Sequence, residues 1–166
     1  MKKNAGWGVL LTGLLVTGLL AGCGKPKQEG TPVAGVGSET IYLEEALFYT
    51  RMLQEQWELA YYDSYGADMW QKEPEFGEGG GRAGTMEEAL KLDVMDALTE
   101  IHLLCAHTEE YGAELTKEEK AVVEKRAKAF MEDNTEAVLE AAGATRESVE
   151  QFLLFNEQAA KTAEYV

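Results

Sequence analysis

Residues 85–112 open as Thr85-Met86-Glu87-Glu88-Ala89-Leu90 and run on through Val94, Ala97, Leu98, Ile101, Leu104, Cys105 and Thr108 to Gly112. Apolar residues three and four apart share one helical face. A hydroxyl followed three residues later by a carboxylate is a capping box, and a glycine past the last turn is a stop. The stretch predicts one long amphipathic helix. The same grammar repeats downstream. Thr116-Lys117-Glu118-Glu119 is a second capping box, opening a helix through Val122, Val123, Ala127, Phe130 and Met131. Residues 135–142 predict a short helix closed by Gly143, and Thr145 caps a last one with Val149, Phe152, Leu153 and Ala160 inward. Upstream, Leu43, Ala46, Leu47, Thr50, Leu53, Trp57, Ala60, Tyr61 and Ser64 form one stripe over 43–65, which Gly66 stops. Val33, Val36, Ile41 and Tyr42 around Gly35 and Gly37-Ser38 predict a short extended segment or hairpin. The expected fold is mostly α: five helices behind that N-terminal segment. Residues 67–84 predict a loop, because Pro74 and the glycine run from Gly77 to Gly84 oppose regular structure.

The first residues carry a different message. Lys2 and Lys3 precede an apolar run of 12 residues, Val9 to Leu20, and then Leu20-Ala21-Gly22-Cys23. A positive start, a short apolar stretch and small residues describe a secretory signal. The run is too short to cross a hydrocarbon core, which needs roughly 20 residues. Leu20 to Cys23 resemble the lipobox of bacterial lipoproteins, and that resemblance implies cleavage before Cys23 and lipidation of its thiol. Stable anchoring by two or more acyl chains would follow. The expected organisation is a signal over 1–22, a lipidated Pro- and Gly-bearing tether over 23–32 and a helical domain over 33–166. The expected location is the extracytoplasmic face of a bacterial cell membrane.

Charge excludes several function classes. The chain has 15 basic and 30 acidic side chains, a formal charge of −15. Loss of residues 1–22 would take Lys2 and Lys3 and leave −17 on 144 residues. Nucleic-acid phosphates need clustered Lys and Arg, so no nucleic-acid partner is expected. Anionic lipid would be repelled as well, which leaves the lipid on Cys23 to hold the protein at the membrane. Of the two cysteines, Cys105 alone would then keep a thiol, so no internal disulfide is expected and packing must supply the stability.

No catalytic set is legible. His102, Cys105 and His107 lie close in sequence, but only His102 and Cys105 share a helical face, and Cys105 fits the apolar stripe as a small core residue. No metal site is expected. Gly79 to Gly84-Thr85 lacks the lysine of a phosphate-binding loop and follows a helix instead of a strand. The 30 carboxylates read as solvated helix faces. No cofactor is implied. One cluster is less bland: Tyr42, Phe48, Tyr49, Trp57, Tyr61, Tyr62, Tyr65, Trp70 and Phe76 fall within 35 residues. Phe48, Tyr49 and Tyr62 lie off the stripe, and Met69, Trp70 and Phe76 lie in the loop. Either they form an adaptable apolar surface for unfolded segments, or they pack against the glycine loop or the hairpin.

Val33-Ala34-Gly35-Val36-Gly37 leading into Ile41-Tyr42-Leu43-Glu44-Glu45 resembles the entry segment of SurA/PrsA-type foldases. Thr85 to Leu90 resembles the start of their long second helix. Tyr111 to Glu119 and Ala142 to Val149 are similar to two of their interhelical turns. Gly37 departs from the pattern, standing where the family usually carries the asparagine of an Asn-Gly turn. The resemblance spans about residues 33–165 and implies an extracytoplasmic chaperone domain that holds exported, unfolded polypeptides. A parvulin isomerase domain would begin near Val166. Ile101-His102-Leu103-Leu104 and Gly66 to Trp70 only superficially match parvulin segments, in reversed order, so no isomerase activity is expected of these residues. The resemblance further implies an apolar groove, or a homodimer that fills it, where a returning segment would lie. Two other readings stay open: a subunit docking a fixed surface partner, and a fragment of, or partner to, a peptidyl-prolyl isomerase.

Overall fold

A computed structural model describes residues 30–75 and 83–166; Cys23, the signal and tether up to residue 29, and Phe76 lie outside the described residues. Two antiparallel strands, β1 (Pro32–Val36) and β2 (Glu39–Tyr42), lead into α1 (Leu43–Tyr65). Then come a single 3-10 turn (Met69–Gln71), α2 (Met86–Ala106), the short α3 (Thr108–Tyr111), α4 (Lys117–Asp133), α5 (Glu136–Ala142) and α6 (Arg146–Ala163). The protein is a helical bundle with a short N-terminal hairpin. None of the described helices is long and apolar enough to cross a membrane.

The hairpin turns at Gly37-Ser38, where Gly37 takes φ 61°. A two-residue hairpin loop requires such a positive φ, so glycine here does the geometric work of the absent asparagine. The register shifts between Pro32 and Ala34, leaving Val33 as an extra residue on β1. Strand β1 begins at Pro32, so the expected tether gives up its last residue to the sheet. Ile41 is fully buried and carries the hairpin into the first core, with Ala46, Leu90, Val94 and Leu98. The Leu43 N–H donates to the Thr31 carbonyl at 2.8 Å, which occupies one of the first-turn donors that a helix leaves unpaired.

A second core joins Phe48 of α1 to Ala127 of α4 and Val149 of α6, with Phe130, Phe152 and Leu153 around them. Helix α1 therefore stands between two cores. Ala46 faces one and Phe48 the other, two residues and about 200° apart at 100° per residue. The single stripe expected for α1 is corrected accordingly: Phe48 is core, whereas Leu43 and Leu47 are exposed. In α6 the inward alanine is Ala159 and not Ala160.

The helix starts follow their caps. Thr116 and Thr145 form full reciprocal boxes with Glu119 and Ser148. Thr85 accepts from the Glu88 N–H, but the Glu88 carboxylate reaches back to the N–H of Gly84 instead of Thr85, so this box is shifted by one residue. The expected helix through Gly112 breaks at His107, whose backbone takes φ −98° and ψ 4°. The break turns Thr108 inward, where its hydroxyl meets that of Thr162 at 3.1 Å. Helix α6 then clamps the α3–α4 loop. Gln158 donates from Nε2 to the Ala113 carbonyl at 2.8 Å and accepts at Oε1 from the Leu115 N–H at 3.1 Å.

Lys161 of α6 extends this clamp. Its ammonium lies 2.8 Å from Glu119 and also donates to the Glu114 carbonyl. The Lys161 hydrogen bond, then that of the Thr116 backbone N–H, lower the Glu119 carboxyl from its ordinary 4.5 to about 2. A carboxyl held lower in the folded state than in the unfolded one adds stability above the unfolded value, and that stability is lost as pH falls through the folded value. Glu119→Gln is therefore expected to melt below wild type above about pH 5, with the gap closing between about pH 4.5 and pH 2. Thermal melts across that range would show it. A gap independent of pH would mean that the capping hydrogen bonds, and not the charge, carry the effect.

Candidate functional site: an aromatic cleft beside helix α1

The first turns of α1, the C-terminal half of α2 and the start of α6 enclose a cleft of about 250 Å³. Helix α1 supplies Glu44, Glu45, Phe48 and Tyr49 to its wall, and α2 supplies Leu98 and Ile101. The α5–α6 turn and α6 add Gly143, Thr145, Ser148, Gln151, Phe152, Phe155 and Asn156. Gly143 takes φ 63°, the left-handed closure of α5, and this sharp stop swings the chain back so that Thr145 can start α6 beside α1. Three of the aromatic groups interlock. Phe48 and Tyr49 meet Phe152 edge-on at centroid distances of 5.4 and 5.2 Å. Burial, and then the Asp93 and Glu100 carboxylates, push the Tyr49 phenol above its ordinary 10, so Tyr49 is a neutral hydroxyl at neutral pH.

Behind this wall sits an ion-pair geometry. Glu45 Oε1 lies 2.9 Å from His102 Nε2, with the two side chains 12% and 5% exposed. The imidazole packs against Phe155, ring centroids 5.4 Å apart. Glu45 Oε2 is buried and has no hydrogen-bond partner. Such atoms are rare because burying one unmatched costs about 1–3 kcal/mol. Glu45 also sits in the first turn of α1, at the positive end of that helix's dipole.

The residues expected to hold polypeptide separate. Phe48 is a core residue at 4% exposure whose edge reaches the cleft; Tyr49 is half-buried on the same wall. Met69 is buried, and Trp70 stacks on Trp57 at 6.4 Å with its indole N–H donating to Glu58. These two pack the segment after α1 onto that helix, Met69 closed to solvent and Trp70 half-buried. Tyr65 ties down the same segment by accepting from the Glu75 N–H at 2.7 Å. Tyr62 is exposed and away from the cleft. The reading of the loop as an exposed aromatic surface is thus corrected for Met69, which is core, while Trp70 keeps part of its indole exposed beside its stack on Trp57.

Glu45, His102, Phe152 and Phe155 were not legible as a site. Glu45 reads as one more solvated carboxylate, and His102 as a mid-helix residue. The signal that was present is spacing: Val94, Leu98 and His102 follow at four-residue steps, which puts the imidazole on the buried stripe. His107 pairs with Glu110 at 2.7 Å, and Cys105 lies 3.6 Å from the Phe155 carbonyl. Among the described residues no three His, Cys, Asp or Glu side chains converge on one point.

No family model, no curated protein and no solved structure matches the chain.

Proposed function

We propose that the protein is a lipid-anchored, extracytoplasmic chaperone-like module that holds unfolded exported polypeptides, and that the cleft beside α1 receives their side chains. The observation that carries this reading is the aromatic wall of Phe48, Tyr49, Phe152 and Phe155, flanked by the polar groups of Gln151 and Asn156. Apolar rings fixed in place with a few polar atoms around them are the composition of a binding pocket. At about 250 Å³ the cleft is smaller than the 300–1,000 Å³ usual for a drug-sized ligand. It suits one side chain of a longer chain passing outside. The N-terminal Lys2, Lys3, apolar run and Cys23 support export and anchoring. Weak holding of this kind needs no nucleotide, metal or organic cofactor, and the acidic surface keeps the complex soluble.

The test is aggregation suppression. A chemically unfolded secreted protein is diluted into buffer with a severalfold excess of residues 23–166 carrying Cys23→Ser, and light scattering is followed. Wild type is expected to lower the scattering, Gln151→Trp to lose at least half of that effect by filling the cleft from α6, and Tyr62→Ala to behave as wild type. If wild type leaves scattering unchanged, the holding reading is wrong and a fixed surface partner becomes the object of search.

A further inference from the structure

The chain enters the domain beside the cleft, and three contacts fix the place. Pro32 pairs with Tyr42, the residue before α1. The Thr31 carbonyl accepts from the Leu43 N–H at 2.8 Å. Gly30 lies against the Glu44 carboxylate, so closely that a Cβ there would displace it, and Glu44 is part of the cleft wall. The polypeptide that leads back to Cys23 is therefore joined to the domain where α1 begins. Gly30 follows Cys23 by seven residues. Extended chain spans at most about 3.6 Å per residue, so an acylated Cys23 keeps this rim of the cleft within about 25 Å of its lipid. The remainder of the domain extends away from that joint. Helix α1 runs for 23 residues, about 35 Å at 1.5 Å per residue, and none of the described helices is apolar enough to cross the bilayer. A body joined at one corner and kept on one side of a membrane stands with that corner nearest the surface.

We infer that the cleft is the membrane-proximal face of the anchored protein, and that its clients are polypeptide segments presented at the bilayer surface. A cleft that takes one side chain binds a freely diffusing chain weakly. Two partners attached to one membrane meet at an effective concentration set by the lengths of their tethers, in the millimolar range when these are short, and a weak contact then suffices. This inference names where the client stands, and it rests on the anchoring and holding readings.

The experiment is photo-crosslinking on vesicles of neutral phosphatidylcholine that carry the lipidated protein. A benzophenone is attached at Leu47→Cys or at Tyr62→Cys, each with Cys105→Ser. Both sites are exposed on α1; Leu47 is one turn from Glu44, and Tyr62 lies about 22 Å further along the helix. The client is a lipid-linked leucine-rich peptide. Its spacer is either about four residues, reaching at most about 14 Å, or about forty, reaching about 35 Å on average. The short-spacer peptide is expected to crosslink from Leu47→Cys at least as efficiently as the long one, and at least fivefold more than from Tyr62→Cys. Filling the cleft with Gln151→Trp is expected to remove at least half of the Leu47→Cys product. Equal short-spacer products from the two sites overturn the inference, because the protein then has no preferred face toward the bilayer. Capture of the long-spacer peptide alone overturns it as well, by placing the cleft away from the surface. Both results leave the holding reading to the scattering test, whereas protein that fails to stay on the vesicles refutes the anchoring reading itself.

Discussion

His102→Ala is expected to destabilise the protein by about 1–3 kcal/mol, the usual consequence of leaving a buried hydrogen-bonding group without its partner. Glu45 would be left with neither oxygen matched, in a site where it is 12% exposed. Glu45→Ala should cost less, because it leaves one ring nitrogen without its partner, whereas His102→Ala leaves both oxygens of Glu45 unmatched. The sharper test is the double variant Glu45→Met with His102→Leu. Replacing both partners of a buried hydrogen bond by apolar groups of similar shape is often nearly neutral or stabilising, so the double variant should recover most of the loss. Urea denaturation of the four proteins closes the cycle. Single variants that each cost under about 1 kcal/mol would show that the pair is wetter than its geometry implies. A stable double variant that no longer holds unfolded chains would indicate that the pair is kept for binding and not for stability.

Phe48→Ala should cost about 3–5 kcal/mol, the range for removing a buried aromatic side chain and leaving a cavity. Phe48 links α1 to Ala127 of α4 and Val149 of α6, and its ring meets Phe152 edge-on. Its neighbour Leu47 is 51% exposed, and Leu47→Ala should stay within about 0.5 kcal/mol. The contrast is informative because a single-stripe reading of α1 ranks the two residues the other way round. Chemical denaturation of both variants decides the order. Similar small losses would mean that α1 is not anchored between two cores.

That inversion shows where sequence reasoning reached and where it stopped. Helix boundaries were legible because they are local: Thr116, Thr145, Gly66 and Gly143 act within four residues of the ends they mark. The stripe of α2 was legible because that helix buries Met86, Leu90, Val94, Leu98 and Ile101 along one side. Helix α1 was misread because burial against both the hairpin–α2 core and the α4–α6 core puts apolar residues on two sides, where no single period describes them. The Glu45–His102 pair was hidden for a similar reason. Its members are 57 residues apart, and nothing in either neighbourhood announces the other. The break at His107 was missed because the apolar pattern continues through it to Thr108, which is buried by way of the kink and not by way of a longer helix.

The position of α6 sets the order in which the molecule can be completed. It follows α1 to α5 in the chain, yet it packs against α1, α2, α3 and α4, and Val149 and Phe152 supply one side of the second core. A nascent chain can already close Ile41, Ala46, Leu90, Val94 and Leu98 once α2 has emerged, since those contacts are brought together by one hairpin of helices. Phe48 and Ala127 must wait for α6, Arg146–Ala163, with their apolar surface open during synthesis. The protein thus passes through a half-built stage whose exposed rings are those that wall its finished cleft, and the arrival of α6 both ends that vulnerable stage and creates the binding site.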